Sequence, residues 1–309
     1  MTDIRQAPEY AHFLHALGWK TASHKNGYRA AIKPLLPLFG ILKLQRVPLA
    51  TIDVDWIQKL ARKHLVFVNY IELVDRLVVP IETPFNGAVV AAFYKQASLD
   101  LKRKGYSSIS HGMLPSKTQI IDLTQPLEKL VKGMKPKTRY NIGLAQRKKL
   151  VISLVSTNEF LSNQKLMEQI NTLLQENSRR AGYWVEGNNW IQKKLRAFDR
   201  RAFILTAHLP DEPHKLLAVA LFLNSKDTLF YWVNGSTLEG RKLFAPSLLI
   251  YEALSEAKKR GLREFDFDGV YDERFPNKRW LGYTRFKQGF GGNYVFYPPC
   301  YIQRFALFH

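Results

Sequence analysis

The sequence predicts a mixed α/β protein large enough for two domains, and three observations lead there. The chain has 309 residues, 46% hydrophobic and 23% charged, the balance of a folded globular protein. Its apolar residues switch repeatedly between short β-type runs and longer stretches at helical spacing. An order of helix, strands, helix, strand occurs once in each half, and this mixture of hairpins and crossover helices implies α/β layers. Residue-level likeness between the halves is weak, so a duplicated fold rests on element order alone.

The elements follow in order. Residues 5–17 read as a short helix, and 28–33 and 40–44 as strands. Residues 53–63 form a helix, with Ile57, Leu60 and Ala61 at helical spacing. Residues 65–73 are a buried-strand pattern with Glu72 near its end. Residues 88–104 are a helix stopped by Gly105, and 119–123 a strand. Helices at 127–134 and 137–149 are separated by Lys135-Pro136, because proline disfavours helix at the residue before it. A second module opens with a strand at 151–155, a long helix at 158–180 and another at 189–198. Three strands follow at 202–208, 216–223 and 228–233, the first two split by Pro210-Asp211-Glu212-Pro213. A helix at 245–260 closes at Gly261, and strands at 264–268 and 294–297 complete the pattern.

Several function classes are poorly supported. A single cysteine, Cys300, has no intrachain partner, which suits a reducing compartment. The N-terminal residues carry two acids and a proline and lack an apolar core, unlike a secretory signal. The longest apolar run, 216–223, is too short to span a bilayer. The expectation is a cytoplasmic protein with, at most, peripheral contact with the inner membrane surface. No metal is expected: only His12 and His15 share a helix face, and Asp266 and Asp268, at i and i+2 of a strand, lack a third ligand. Neither a phosphate-binding Gly-x-x-x-x-Gly-Lys-Ser/Thr loop nor a Gly-x-Ser-x-Gly elbow occurs.

Charge points to a partner class. Forty-six Lys and Arg against 26 Asp and Glu give +20, a field that attracts polyanions. The cations cluster: eight lie between Lys129 and Lys149 with no acid among them. Further groups are Lys193, Lys194, Arg196, Arg200, Arg201, and Arg274, Lys278, Arg279, Arg285, Lys287.

Four segments carry a resemblance. The first is Ser116–Ile152, with its strand Thr118–Leu123 and its lysine-rich turn into Arg139-Tyr140-Asn141-Ile142. The second runs from Leu243-Phe244-Ala245-Pro246-Ser247 to Gly261. The third is Phe265–Val270. The fourth is Arg285-Phe286-Lys287-Gln288-Gly289-Phe290-Gly291-Gly292. In this order and spacing they resemble the Fem family of tRNA-dependent peptidoglycan-precursor aminoacyltransferases, over most of the chain from about residue 115. The resemblance implies two tandem acetyltransferase-like (GNAT-like) domains, residues 1–150 with 296–309, which binds the precursor, and residues 151–295. It implies the compact type without a helical hairpin arm. The expected reaction moves an amino acid from aminoacyl-tRNA, a co-substrate in place of any cofactor, to the stem-peptide amine of a UDP-linked or lipid-linked muropeptide.

The same resemblance places an oxyanion-stabilising role at Lys287, beside Phe286; the bland alternative is a surface lysine on a strand. The glycines after it would let a ligand approach the backbone closely, or simply make a turn. Arg180, with Arg179 as competitor, would hold the precursor's phosphates, since a guanidinium fork suits a diphosphate; a helix-end arginine facing the dipole is equally expected. The family's N-terminal phosphate-binding lysine follows a tryptophan; here Trp19 is present and Lys25 or Lys20 takes the role. Tyr231 and Trp232 would flank the peptide channel, with core packing expected for at least one of them. Glu72 is a candidate amine-orienting acid, though structural pairing is the commoner use. For the tRNA backbone the expected surface is Lys193, Lys194, Arg200, Arg201, Lys278, Arg279 and Arg285. The rivals are an acyl-CoA-dependent N-acyltransferase, which would normally show a pyrophosphate loop where Arg241–Leu249 stands, and a non-catalytic RNA-binding module.

Overall fold

A computed structural model describes residues 3–36, 39–110, 112–181 and 189–304. The chain begins with α1 (Pro8–Ala16), β1 (Lys20–Ser23), β2 (Arg29–Leu36) and β3 (Phe39–Val47). Then come α2 (Val54–Lys63), β4 (Val66–Leu73), β5 (Leu77–Pro80), α3 (Gly87–Arg103), β6 (Ser107–Ile109) and β7 (Lys117–Asp122). Next are α4 (Leu127–Gly133), α5 (Pro136–Arg147), β8 (Val151–Val155), α6 (Thr157–Ser162), α7 (Gln164–Ala181) and α8 (Trp190–Phe198). The hairpin strands β9 (Ala202–His208), β10 (Ala218–Ser225) and β11 (Thr228–Ser236) lead to α9 (Leu238–Lys242), α10 (Ala245–Lys259) and β12 (Glu264–Gly269). The chain closes with α11 (Leu281–Gln288), β13 (Asn293–Phe296) and β14 (Cys300–Arg304).

These elements form two units. Unit 1 is Met1–Thr118, Asp272–Pro276 and Tyr294–His309; unit 2 is Gln119–Tyr271 and Asn277–Asn293. The expected division at 150/151 differs: residues 119–150 group with unit 2, because β7 continues into α4 and α5, whose Ile142 and Ala145 join the same core as Phe203 and Phe265.

In unit 1 a six-stranded sheet runs β1-β2-β3-β4-β14-β6. Only β3 and β4 are parallel, and α2 makes the crossover between them. Asp53 fixes the start of α2 by accepting from the Trp56 amide, and Ile57 and Ala61 turn inward onto Leu42, Leu44 and Ile71. The tail returns as β14, pairing Tyr301 with Ile71 and Cys300 with Ile109.

Unit 2 has its own mixed sheet, ordered β7-β12-β11-β10-β9-β8. The three hairpin strands are antiparallel, and β11 and β12 run parallel across the crossover helix α10. Aromatic rings fill its centre: Phe222 lies 5.2 Å from Phe203 and 5.6 Å from Tyr231, and Phe267 lies 4.9 Å from Phe265 and 5.6 Å from Phe290. The single helix expected over 158–180 is two, because Asn163 accepts from the Leu166 amide and starts α7 afresh. The segment around Lys287 is helix, α11, and not strand.

Candidate functional site

The chemistry-bearing group with the most distinctive surroundings is Lys287. It sits in the last turn of α11 with only 8% of its surface exposed. Its ammonium donates to two backbone oxygens at the end of β12, Phe267 O and Gly269 O, each at 2.7 Å. Burial pushes its pKa down to about 8, against the pull of the Asp268 and Asp266 carboxylates. Asp266 in turn accepts from the Asp268 amide at 2.7 Å and so shapes the strand end, where Asp268 has φ 57°. The Tyr283 ring centroid lies 4.9 Å from the Lys287 nitrogen. Neighbouring Phe286 is half-buried, with its ring 5.3 Å from Phe290.

The glycines after Lys287 serve backbone packing inside unit 2. Gly292 has φ +94°, and a Cβ there would collide with Ile120 O on β7. At Gly291, φ +76°, a Cβ would come within 2.7 Å of Gly133 O. The close approach these residues allow is therefore to the protein's own chain. Gln119 locks the same loop from β7, donating to both Lys287 O and Gly291 O at 2.7 Å.

The FemAB family model matches residues 210–298, a span that contains β12, Lys287 and the glycine loop. Among curated proteins none matches the chain. Among solved structures, FemX superposes with a TM-score of 0.72 at 13% identity, covering 98% of this chain and 92% of that one. The C-terminal domain of a putative lysylphosphatidylglycerol synthetase from Agrobacterium fabrum gives 0.58 at 12% identity, covering 97% and 87%. A tandem GNAT protein from the clavulanic acid biosynthesis pathway gives 0.50 at 13% identity, covering 92% and 83%. The fold is thus α/β with two mixed sheets, of the tandem acetyltransferase-like kind.

The other expected residues fall into three groups. Arg179 and Arg180 are exposed near the end of α7, Arg180 bonding Asn177. A further cation accompanies them in the FemAB region: Arg241, whose pKa is lowered by burial and then by the charge of Arg180. Arg241 also donates to Ser236 O at 2.7 Å. Nothing in the sequence paired Arg241 with Arg180, and the two lie 61 positions apart.

In unit 1, Lys20 and Lys25 are exposed, and the lysines beside Trp19 come from the next two strands. Lys43 lies 4.2 Å from the Trp19 ring centroid and Lys33 6.0 Å from it, with Lys33 donating to Leu17 O. Antiparallel pairing of β2 with β3, including Ala31 opposite Lys43 and Lys33 opposite Ile41, brings them together; spacing from the tryptophan along the chain does not show it. Glu72 is buried and accepts from the Leu114 amide at 2.7 Å and from Gln45. It shapes the 112–114 loop, the structural use.

Tyr231 is buried among Phe222, Phe265 and Phe267 and is a core residue; Trp232 is half-buried. For the basic surface, Arg200, Arg201, Lys278, Arg279 and Arg285 are exposed and Lys193 is half-buried. Lys194 is a correction: it is 0% exposed, its ammonium 4.1 Å from the Trp232 ring centroid and 5.1 Å from that of Trp190. A side chain enclosed by two indoles cannot rest on a phosphate backbone. All eight cations between Lys129 and Lys149 are exposed, together with the Tyr140 ring. Among the described residues, no group of three or more His, Cys, Asp or Glu is placed to hold a metal ion, and no helix is long and apolar enough to cross a membrane.

Proposed function

We propose that the chain is an aminoacyltransferase of the compact Fem type, moving an amino acid from aminoacyl-tRNA to a stem-peptide amine of a peptidoglycan precursor in the cytoplasm. The observation that carries this reading is Lys287: a buried ammonium at the end of β12, inside the FemAB-matching stretch, with two of its three N–H groups committed to backbone oxygens. In the reaction the amine nitrogen attacks the ester carbonyl and a tetrahedral oxyanion forms. The C–N bond is made, the C–O bond to the ribose breaks, and one proton passes from the attacking nitrogen to the leaving ribose oxygen. The third N–H of Lys287 is the donor for the transient oxyanion, held ready by the two carbonyls and strengthened by exclusion of water. No cofactor enters these steps.

The remaining roles follow from charge. Arg180 with Arg241 supplies cations for the precursor's phosphates, and the lysines around Trp19 are the candidates for that role in unit 1. The exposed Arg200, Arg201, Lys278, Arg279 and Arg285, with the cationic α4–α5 segment, suit a tRNA backbone. The acyl-CoA rival is disfavoured at α10. Its first turn contains Pro246, buries Ala245, Ser247 and Leu248, and uses the Ser247 and Leu248 amides on Phe244 O, leaving a pyrophosphate little to bind.

The test is incubation with a mixture of charged tRNAs and UDP-linked or lipid-linked muropeptides, read by mass. A gain of one aminoacyl residue on a muropeptide supports the reading; no gain on either form, with folded protein, sinks it. The likeness to a lysylphosphatidylglycerol synthetase fold makes phosphatidylglycerol the second acceptor to include, and a gain there alone would move the acceptor from peptide to lipid.

A further inference from the structure

Helix α3 of unit 1 is apolar on two faces. Val90, Tyr94, Ala97 and Leu101 recur at helical spacing and are buried. The opposite side should then be polar. Instead Val89 is 54% exposed, Phe93 48% and Leu99 40%, beside exposed Ala88, Ala91 and Ala92. Phe85, just before the helix, is 40% exposed, and Val78 on β5 44%. Five of the large exposed apolar side chains thus belong to one segment of unit 1, Val78–Leu99. From Thr83 to Tyr94 there is no charged residue, in a chain where nearly a quarter of residues are charged. Isolated exposed apolar residues are ordinary; a group of this kind marks a surface that meets something.

The charges at its margin say what. The C-terminal half of α3 and the residue after it carry Lys95, Lys102, Arg103 and Lys104, all exposed, against one acid, Asp100, which pairs with Arg103. Lys95 and Lys102, two turns apart, stand at a groove of about 520 Å³ between α3 and the β6–β14 edge. The groove is lined also by Ser98, Leu99, Ser107 and Tyr301, with Ser98 and Tyr301 hydroxyls 2.7 Å apart. An apolar ridge bordered by lysines that can reach outward is the arrangement of a helix lying in a lipid interface, aromatic and aliphatic groups among the acyl chains and ammonium groups among the phosphates.

We propose that the outer face of α3 docks on an anionic bilayer surface, with Val89 and Phe93 entering the interface and Lys95, Lys102, Arg103 and Lys104 meeting lipid phosphates. Each cation near such a surface strengthens partitioning roughly fivefold, and salt weakens that share. A further consequence, which rests on the transferase reading, is that the acceptor is met in its lipid-linked form.

The experiment is co-sedimentation of the full chain with vesicles of phosphatidylcholine alone or mixed with phosphatidylglycerol. Binding should be at least tenfold tighter to the mixed vesicles and weaken with salt. The Val89→Glu/Phe93→Glu protein and the Lys95→Glu/Lys102→Glu protein should each lose at least tenfold while keeping the wild-type melting temperature, since all four side chains are exposed. Wild-type protein that ignores the mixed vesicles, or a Val89→Glu/Phe93→Glu protein that binds them as well as wild type, overturns the proposal. So does a wild-type dimer that Val89→Glu/Phe93→Glu converts to monomer without changing vesicle binding, which would assign the face to a second copy of the chain. Transfer assays separate the two readings. With lipid-linked muropeptide in vesicles the ridge variant should slow at least tenfold, and with UDP-linked muropeptide it should not change. Protein that binds vesicles and transfers nothing would end the transferase reading and leave the docking face standing.

Discussion

Replacing Lys287 by methionine tests the proposed chemistry most directly, because its effects on stability and rate separate. Methionine keeps the aliphatic stem and removes the charge. The drop in the lysine pKa from 10.5 to about 8 corresponds to about 3 kcal/mol that the buried ammonium costs the folded state near neutral pH. Methionine relieves this, and leaves Phe267 O and Gly269 O without their donor, at about 1–3 kcal/mol each. The two effects largely offset, and Lys287→Met should fold, less stable by no more than about 3 kcal/mol. The rate should fall about 10²–10³-fold, the usual cost of losing one oxyanion donor. The pH dependences have opposite signs. The folded pKa lies below the unfolded one, so between pH 8 and 10.5 the unfolded chain holds the extra proton and wild type gains stability with rising pH. Over the same range the proposed oxyanion donor loses its charge, so the rate advantage over Lys287→Met should shrink about tenfold per pH unit above roughly 8. Chemical denaturation across pH and single-turnover transfer measure the two. A folded Lys287→Met protein transferring within threefold of wild type would remove Lys287 from the chemistry.

Other outcomes follow from particular contacts. Gly292→Ala combines φ +94° with a collision against Ile120 O and should cost at least about 2 kcal/mol by denaturant titration. Lys117 is buried and pairs at 2.7 Å with the half-exposed Glu273. Glu273→Gln removes the carboxylate that pairs with that ammonium, leaving the Asp272 charge and the Tyr294 and Phe296 ring faces, and should destabilise by about 1–3 kcal/mol, more than Lys117→Met, which removes the buried charge itself; the reverse ranking of melting temperatures would refute this. Converting exposed Lys278, Arg279 and Arg285 to glutamate should weaken tRNA binding and reduce its log–log salt slope by roughly 2–3, read by filter binding. Cys300 is buried, and burial pushes its thiol pKa well up, so a thiol reagent should label it only as fast as unit 1 opens, with labelling accelerating across the denaturant transition.

Local signals carried much of the fold. Ile57, Leu60 and Ala61 at helical spacing gave α2, Gly261 marked the end of α10 closely, and the three consecutive hairpin strands read close to their observed ranges. What failed was non-local. Lys194 reads as surface because it sits in a cationic run, yet Trp190 and the distant Trp232 enclose it. The return of Asp272–Pro276 to unit 1 depends on Asp272 and Arg274 meeting Ser116. Burial works to raise the Asp272 carboxyl, but bonding from Arg274 and Ser116 and the guanidinium charge outweigh it and hold the pKa below the usual range. No spacing rule in the sequence announces such a meeting across more than 150 residues.

The motif around Lys287 shows why a structural and a functional reading of the same residues need not compete. Taken alone, the glycines are packing residues and the lysine is a buried ammonium proposed as the oxyanion donor. The structure links them through Gln119, which belongs to a different motif, the β7 strand. Its amide bonds Lys287 O and Gly291 O together, while Gly291 and Gly292 let that loop lie against Gly133 O and Ile120 O. With its backbone held on that side, Lys287 can extend its ammonium to Phe267 O and Gly269 O, in the third motif. A positioned donor is effective because its own orientation has been fixed beforehand. Segments far apart in sequence then become one device. Loosening Gln119 would blunt Lys287 without touching its side chain.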